Sequence, residues 1–485
     1  MPETTPHLNP AQIESLGSEL DALRQRVLDD LGERDVDHIR SVIRAQRALE
    51  VGGRGLLFAS ILPPAWLAGT AALSLSKILD NMEIGHNVMH GQYDWTHDPA
   101  LSSKEFEWDT ACPADQWRHS HNYLHHTYTN IIGKDRDIGY GVLRMTGEEP
   151  WKPRWLGNPV YALALALLFQ YGVAMHDLEV ERIGEGEVAW RSRDRLLRDI
   201  LRKVRAQTLK DYVLFPLLSG PQAPLVLSAN ATANLVRNVW AFTIIFCGHF
   251  PEGTAEFSEQ ETQNETRGEW YLRQMLGSAN LTGGKLFHIL SGNLSHQIEH
   301  HLYPDIPAHR YSEIAEEVRD ICERYELPYN AGPLHTQFGS VVRKIFRLAL
   351  PGRSGPTAAA LGGLSTGGAV AASANGHART ARGRTAAVAA SSTGRANVTK
   401  ATKGRAGAKQ TRGGTTSGTT ASKAVAATPA RTTARKGARA TSSRAGSVGD
   451  GSRPSRGSQR TRSIAPAPSR STAAPTGETN ANGAR

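Results

Sequence analysis

The feature that most constrains the fold of this 485-residue chain is the clustering of its histidines. Residues four apart share one face of a helix, so a histidine pair at that spacing directs two imidazoles toward one place. Eight of the 18 histidines fall in three short windows: His86 and His90 in GHNVMH, His121, His125 and His126 in HNYLHH, and His296, His300 and His301 in HQIEHH. The fold is therefore expected to gather rings from distant parts of the chain.

Three such windows together predict a metal site, although a single pair would more simply indicate packing. Without a metal, eight crowded imidazoles would leave buried ring nitrogens without hydrogen bonds, which is costly. A structural zinc closes with four ligands, so this many rings suggests two metals with open positions, an arrangement suited to iron and dioxygen. Carboxylate-bridged di-iron bundles use paired Glu-x-x-His motifs, and no such pair stands out here.

Apolar stretches follow the charged N-terminus, which carries no secretory signal pattern. They cover residues 55–79, 159–175, 212–228 and 231–248. A helix needs about 20 mostly apolar residues to cross a membrane, and each stretch is marginal by that measure. Pro63-Pro64 marks either a kink or a bend between two short helices. Buried helices of a soluble protein would look similar.

The segments between and after these stretches are amphipathic. Residues 190–212 combine many basic side chains with apolar positions at helical spacing, which fits a helix on the cytoplasmic membrane surface or an ordinary solvated helix. Residues 312–325 repeat the spacing, and no strand-like alternation of any length occurs. We therefore predict an all-α integral membrane helical bundle of about four crossings, with a cytoplasmic helical cap holding a di-metal site.

The composition changes abruptly near residue 351. Residues 351–485 are rich in Ala, Gly, Ser, Thr and Arg, with 22 Lys or Arg against 2 acids, so the overall charge of +10 leaves the preceding chain acidic. Such a segment is expected to be disordered. The predicted domains are a cytoplasmic N-terminal helical segment (1–50), a membrane domain (51–350) and this basic tail (351–485).

The tail admits several interpretations. It could attract an acidic electron donor, anionic lipid or nucleic acid without specificity, or need no partner at all. One alternative is a non-catalytic membrane protein that tethers nucleic acid and only stores metal. Such a protein would need the tail for its function. We instead expect a catalytic protein that keeps most of its enzymatic activity when residues 351–485 are deleted. Nucleic acid is not an expected partner. The three cysteines, Cys112, Cys247 and Cys322, are few and odd in number and lack CxxC spacing, which argues against a disulfide framework. A reducing compartment fits this cysteine usage.

The three windows resemble the histidine boxes of the integral-membrane fatty-acid desaturases. The flanking sequences are similar to those of bacterial stearoyl-CoA Δ9-desaturases over about residues 35–345: NMEIGHNVMHGQYDW, HNYLHHTYTN, FCGHFPEG, WYLRQMLGSAN and GNLSHQIEHHLYPDIP. The resemblance implies that His86, His90, His121, His125, His126, His300 and His301 are metal ligands. In the third box, both His296 and Gln297 remain candidates, since Gln297 to His301 fits the QxxHH form.

The same resemblance assigns two residues outside the boxes. It implies that His249 is a further ligand and that Asn293 holds a metal-bound water, although His249 could instead be a membrane-interface histidine. Carboxylates near the boxes are candidates for orienting the imidazoles. They are Glu83, Asp94, Glu299 and Asp305.

The resemblance implies O2-dependent desaturation of a long-chain fatty acyl substrate, acyl-CoA at Δ9, by two iron ions at the cytoplasmic side of the inner membrane. Front-end or acyl-lipid desaturases and di-iron membrane hydroxylases or ketolases carry similar boxes and are the alternatives. The chain shows no dinucleotide fingerprint, iron–sulfur cysteine set or cytochrome-b5-type haem segment. Electrons are therefore expected from an external NAD(P)H-dependent reductase or ferredoxin.

Overall fold

The structure of the protein, a computed structural model, describes residues 7–352 and is mainly helical there, as predicted. The predicted disordered tail lies outside the described residues. From the N-terminus the helices are α1 (Pro10–Asp29), α2 (Glu33–Leu57), α3 (Pro63–Leu79), α4 (Asn87–Met89), α5 (Ala114–Trp117) and α6 (His126–Tyr128). The middle forms α7 (Asn158–Leu167), α8 (Phe169–Asp177), α9 (Val180–Gly184), α10 (Asp194–Thr208), α11 (Phe215–Leu218) and α12 (Ala223–His249). The last part forms α13 (Arg267–Leu276), α14 (Lys285–Leu290), α15 (Gln297–Leu302), α16 (Tyr311–Arg324) and α17 (Leu334–Ala349), with strands β1 (Asn280–Thr282) and β2 (Ala331–Pro333).

Helices α2 and α3 form the first of two long hairpins. Pro63 occupies the first turn of α3, where its missing N–H costs no hydrogen bond. The apolar stretch 55–79 is thus divided between two helices. Of the two possibilities for Pro63-Pro64, the structure has the bend between two helices and not a kink within one. The helices approach closely at Gly53 and Gly69, because a Cβ at Gly53 would lie 3.0 Å from the Gly69 carbonyl oxygen.

The second hairpin pairs α11, and the turn that leads into it, with α12. The basic helix α10 continues through a π-helical turn, Leu209–Leu214, into α11. The break between the two arms lies at Gly220–Gln222, earlier than the sequence indicated, so residues 223–249 form one helix. This is a correction to the two apolar segments expected at 212–228 and 231–248.

The two hairpins are joined at their ends and along their length. At the ends, the Ser60 hydroxyl donates to the Gln222 amide oxygen at 3.0 Å. Further along, the buried carboxylate of Asp211 pairs with Lys77 at 2.8 Å and with Arg54 at 3.1 Å. Because removing either partner would leave a buried charge uncompensated, these pairs hold the hairpins in register.

None of the described helices alone has the length and apolar character needed to cross a membrane. One bent pair, Pro153–Leu167 with Phe169–Asp177, meets those criteria jointly, with an angle of 102° between its parts. The apolar stretch 159–175 is therefore broken in the middle.

Helix α1 packs against the C-terminal part of the described chain. A Cβ at Gly17 would lie 3.0 Å from the Gly268 Cα, so α1 and α13 lie almost backbone to backbone. The predicted helix at 312–325 is α16, whose apolar face joins the same core as α1. The parallel strands β1 and β2 add one short ladder that no sequence pattern indicated.

Candidate metal centre

Two of the three histidine boxes lie on π-helical turns. The first box begins at the end of the segment Asp80–His86 and continues through α4, and the second lies at the end of Arg118–His125 and the start of α6. A π turn closes on the fifth residue instead of the fourth and is often found at functional sites. The backbone from His86 to His90 closes with an α-type bond, from the His90 N–H to the His86 carbonyl oxygen at 3.1 Å, and the two ring centroids lie 4.6 Å apart on one face.

The boxes converge in space. One nitrogen from each of His86, His90, His121 and His300 lies within 4.8 Å of the others, so this group takes rings from all three boxes. A second group joins His125, His249 and His301, and a third joins His126 with His300 and His301. Because the third group shares rings with the other two, the rings form one continuous cluster.

The cluster contains buried ring nitrogens without hydrogen-bond partners among the described residues. These atoms are Nε2 of His86, His90, His121, His125, His300 and His301, both ring nitrogens of His126, and Nδ1 of His249. Orphaned buried polar atoms are rare in folded proteins, and so many in one place need a common partner. Metal cations would satisfy all of them at once, so these residues fit a metal site.

The opposite nitrogens of several rings are held by the protein. His125 Nδ1 lies 3.0 Å from the Asp135 carboxylate, and His301 Nδ1 lies 3.0 Å from the Gln274 amide oxygen. His86 Nδ1 contacts the Asn87 amide oxygen at 3.1 Å. Such contacts fix the ring orientation and leave Nε2 free for a metal.

Burial sets the protonation of most of the rings. It lowers the pKa of His86 to about 3 and depresses the pKa of His300 and His301 well below the ordinary value. His125 differs, because although burial lowers its pKa, the carboxylates of Asp135 and Asp137 outweigh that effect and raise it to about 9. Neutral imidazole is the form that binds metals, so most of the cluster is already in that form.

The two candidates in the third box occupy different surroundings. The Gln297 side-chain nitrogen lies 3.0 Å from His249 Nε2, which places Gln297 against the cluster. The His296 ring instead stacks on His288, with centroids 4.6 Å apart, and it belongs to none of the ring groups described above.

Asn293 lies beside the cluster in a buried hydrogen-bonded chain. Its amide donates to Glu83 at 2.9 Å, and Glu83 also contacts His38 at 2.9 Å. The Asn87 amide donates to the Glu83 carbonyl at 3.0 Å, which links this chain to His86. Asn293 adopts a left-handed backbone conformation with φ of 56°, which asparagine tolerates well.

Of the four carboxylates expected to orient the rings, Glu83 reaches His86 through Asn87, and Glu299 lies 3.9 Å from Nδ1 of the candidate ligand His296. Asp94 binds Ser103, and Asp305 pairs with Arg24. Glu299 hydrogen-bonds to Tyr329 and Asn280. The groups that contact the rings include Asp135, Asp137, Gln274, Asn87, Tyr311 and Thr129. Asp135 and Asp137 follow the second box closely, and that proximity was the available signal.

A cavity opens beside the cluster. His86, His121, His249 and Gln297 form part of its wall. About half of the remaining lining residues are apolar or aromatic, including Met82, Trp108, Trp117, Tyr140, Phe169, Ala241 and Ile245, and the others are polar or charged, among them Asp137, Asp177 and Arg237. Ligand pockets commonly combine an apolar lining with a few polar groups, and this cavity would suit an aliphatic chain placed next to the rings.

Residues 62–333 match the model of the family described as fatty acid desaturase. The NADPH-dependent stearoyl-CoA 9-desaturase of Mycobacterium tuberculosis is 48% identical over 349 residues, which is 71% of this chain and 82% of that protein. The sn-1 linoleoyl-lipid 6-desaturase of Synechocystis is 26% identical over 57% of this chain and 79% of its own length. Human fatty acid desaturase 3 is 23% identical over 59% of this chain and 62% of its own length.

Proposed function

This chain belongs to the fatty acid desaturase family and is an oxidoreductase, and we propose that it introduces a Δ9 double bond into a long-chain fatty acyl-CoA. The observation that carries this proposal is the set of orphaned imidazole nitrogens beside an apolar cavity. The substrate follows from the mycobacterial relative, whose name gives stearoyl-CoA and position 9.

We assign the metal ligands from the ring groups. His86, His90, His121 and His300 would hold one iron, and His125, His249 and His301 would hold the other. His126 lies between the groups, and Gln297 rather than His296 completes the third box. Asn293, tied to Glu83, would position a metal-bound water.

The protein's own residues orient the reactants. When bound, two irons with dioxygen and two electrons supply an oxidant strong enough to remove hydrogen from an unactivated methylene. Asp135 and Gln274 hold the rings of His125 and His301 in the tautomer that presents Nε2. The apolar cavity wall holds the acyl chain so that one carbon pair faces the cluster, and it excludes water.

We also propose that the two helical hairpins enter the inner membrane with the histidine cluster on the cytoplasmic side. The support is the exposure of large apolar side chains at the joined ends: Ile61 is 72% exposed and Leu217 is 70% exposed. Contiguous exposed apolar surface of this kind marks membrane or protein contacts. On this proposal, residues 51–350 are the membrane domain and 351–485 a tail that desaturation does not require.

Product analysis tests the function. The iron-loaded protein would be supplied with stearoyl-CoA, oxygen and reductant, and the acyl products would be analysed by mass spectrometry. We expect a loss of two mass units with the double bond at carbon 9, and no product from His125→Ala. A gain of one oxygen would instead identify a hydroxylase, and a double bond at another carbon or in a phospholipid would identify a front-end or acyl-lipid desaturase.

A further inference from the structure

Helix α10 has one strongly basic face. Arg195, Arg198, Arg202 and Arg205 recur at helical spacing and are all exposed, with Arg195 at 89% and Arg202 at 76% of the side chain. Asp199 lies beside this face and pairs with Arg202 at 2.7 Å. Arg198 and Arg205 form no salt bridge with any described residue. We call these four arginines the arginine face.

The opposite face of α10 packs on two tryptophans. Ile200, Leu197 and Val204 belong to the apolar cluster that contains Trp108 and Trp117. The Lys203 ammonium donates to the Trp108 carbonyl oxygen at 2.8 Å, which holds the helix against this segment. The arginine face therefore lies directly outside the tryptophan pair.

The tryptophan pair leads to the histidine cluster. The Trp108 and Trp117 ring centroids are 5.2 Å apart, and Trp117 stacks on His121 with centroids 4.4 Å apart. The Trp117 ring also lies 5.4 Å from His86 and 5.6 Å from His90. Because electron tunnelling weakens steeply with distance, rings in contact make an efficient path through a protein.

We propose that the arginine face is the docking surface for an acidic electron-transfer protein, and that Trp108 and Trp117 carry its electrons to the histidine cluster. This inference rests on the proposed function. Each desaturation uses two electrons and two protons; together with the two hydrogens of the acyl chain, these reduce dioxygen to two waters while the donor is oxidised. A one-electron donor must therefore bind twice per turnover, which favours the fast, weak, charge-steered contacts typical of redox partners.

A binding experiment tests the docking surface. The probe is reduced plant-type [2Fe–2S] ferredoxin, an acidic protein, and the iron-loaded protein is held in nanodiscs of neutral phosphatidylcholine. We expect binding that weakens with salt, and association slower by roughly tenfold or more when all four arginines are changed to Glu. The matched control is Arg343→Glu with Arg347→Glu, exposed arginines on α17, which should bind ferredoxin like the unaltered protein.

The electron path is tested by stopped-flow measurement of ferredoxin reoxidation without oxygen. Trp108→Phe should leave ferredoxin binding unchanged and slow its reoxidation. An unchanged rate would overturn the path. Unchanged ferredoxin binding by the four-arginine variant would overturn the docking surface, and a loss of co-purifying phosphatidylglycerol in that variant would identify the face as a lipid site.

A chemical reductant separates this inference from the proposed function. Reduced with dithionite, freed of excess reductant and then mixed with stearoyl-CoA and oxygen, the four-arginine variant should still form the desaturated product in one turnover, because dithionite needs no docking surface. Absence of product from the unaltered protein under these conditions would refute the proposed function, while ferredoxin binding would still report on the arginine face.

Discussion

Both carboxylate oxygens of Asp135 contact Nδ1 of His125, at 3.0 and 3.1 Å. The same carboxylate accepts a hydrogen bond from the backbone N–H of Asn130 at 2.7 Å. One carboxylate thus ties the second histidine box to the loop that follows it. Asp135 is buried, so no solvent molecule can easily replace it in this role.

Asp135→Asn should weaken metal binding by about 10- to 100-fold, the usual cost of losing a group that orients a metal-bound histidine. Iron content after dialysis, measured by elemental mass spectrometry, checks this. Asp115→Asn, an exposed change in the same region, is the matched control and should retain iron. Equal iron content in the two variants would refute the role of Asp135.

His121→Ala should remove a ligand and abolish product, whereas His119→Ala should not. The two residues share one π-helical segment, but His119 is exposed and stacks on Tyr123. Iron content and product yield would be measured for both variants. Similar losses in both would show that the segment tolerates no substitution, and the assignment of His121 would then fail.

Gln297→Ala should lower product yield, because Gln297 contacts His249 at the cavity wall. His296→Ala should retain iron and activity, because His296 stacks on His288 outside the ring groups. The two variants would be compared for bound iron and for product. The opposite pattern would make His296 the contributor from the third box.

Ala241→Phe should shift the substrate preference toward shorter acyl chains, because Ala241 lines the cavity on α12. A hydrophobic pocket discriminates one extra or missing methylene by about 1–3 kcal/mol, or roughly 10- to 200-fold. Competition between acyl-CoAs of different length measures the shift. Ala231→Phe, at an exposed position on the same helix, should leave the preference unchanged.

Truncation after Gly352 should leave most of the activity and the melting temperature intact. The last helix is tied to the body, since the Trp151 indole donates to the Ala349 carbonyl oxygen at 2.9 Å and Arg144 donates to that of Leu348 at 3.1 Å. A second truncation after Gln337 would remove most of α17 and should destabilise the protein. Activity lost equally in both would contradict the dispensable tail.

Much of the fold and the site could be predicted from the sequence. The histidine spacing indicated three boxes, and the rings of all three lie together. The apolar stretches located both hairpins and the bent segment. They could do so because helices that are buried in protein and helices that face lipid are both rich in apolar side chains. The helical period of residues 312–325 was sufficient for α16.

The remainder depends on contacts between distant segments. No residue type at Leu168 signals the break between α7 and α8, where the backbone leaves the helical region. The neighbouring residues His296 and Gln297 are equally plausible ligands from the sequence alone. The structure distinguishes them, because His249 lies beside Gln297. The orienting residue Gln274 lies 27 positions before His301, and no local pattern joins the two.

The π-helical turns under the first two boxes carry a lesson for protein design. An ideal α-helix would keep each histidine pair on one face, but without the extra residue of the π turn each box would be rotated relative to the rest of its helix. Reproducing this site in a new scaffold would require engineering the widened turn as well as the histidines. Deleting one residue from Asp80–His86 offers the reciprocal experiment, since straightening that segment should scatter the donors while preserving every histidine.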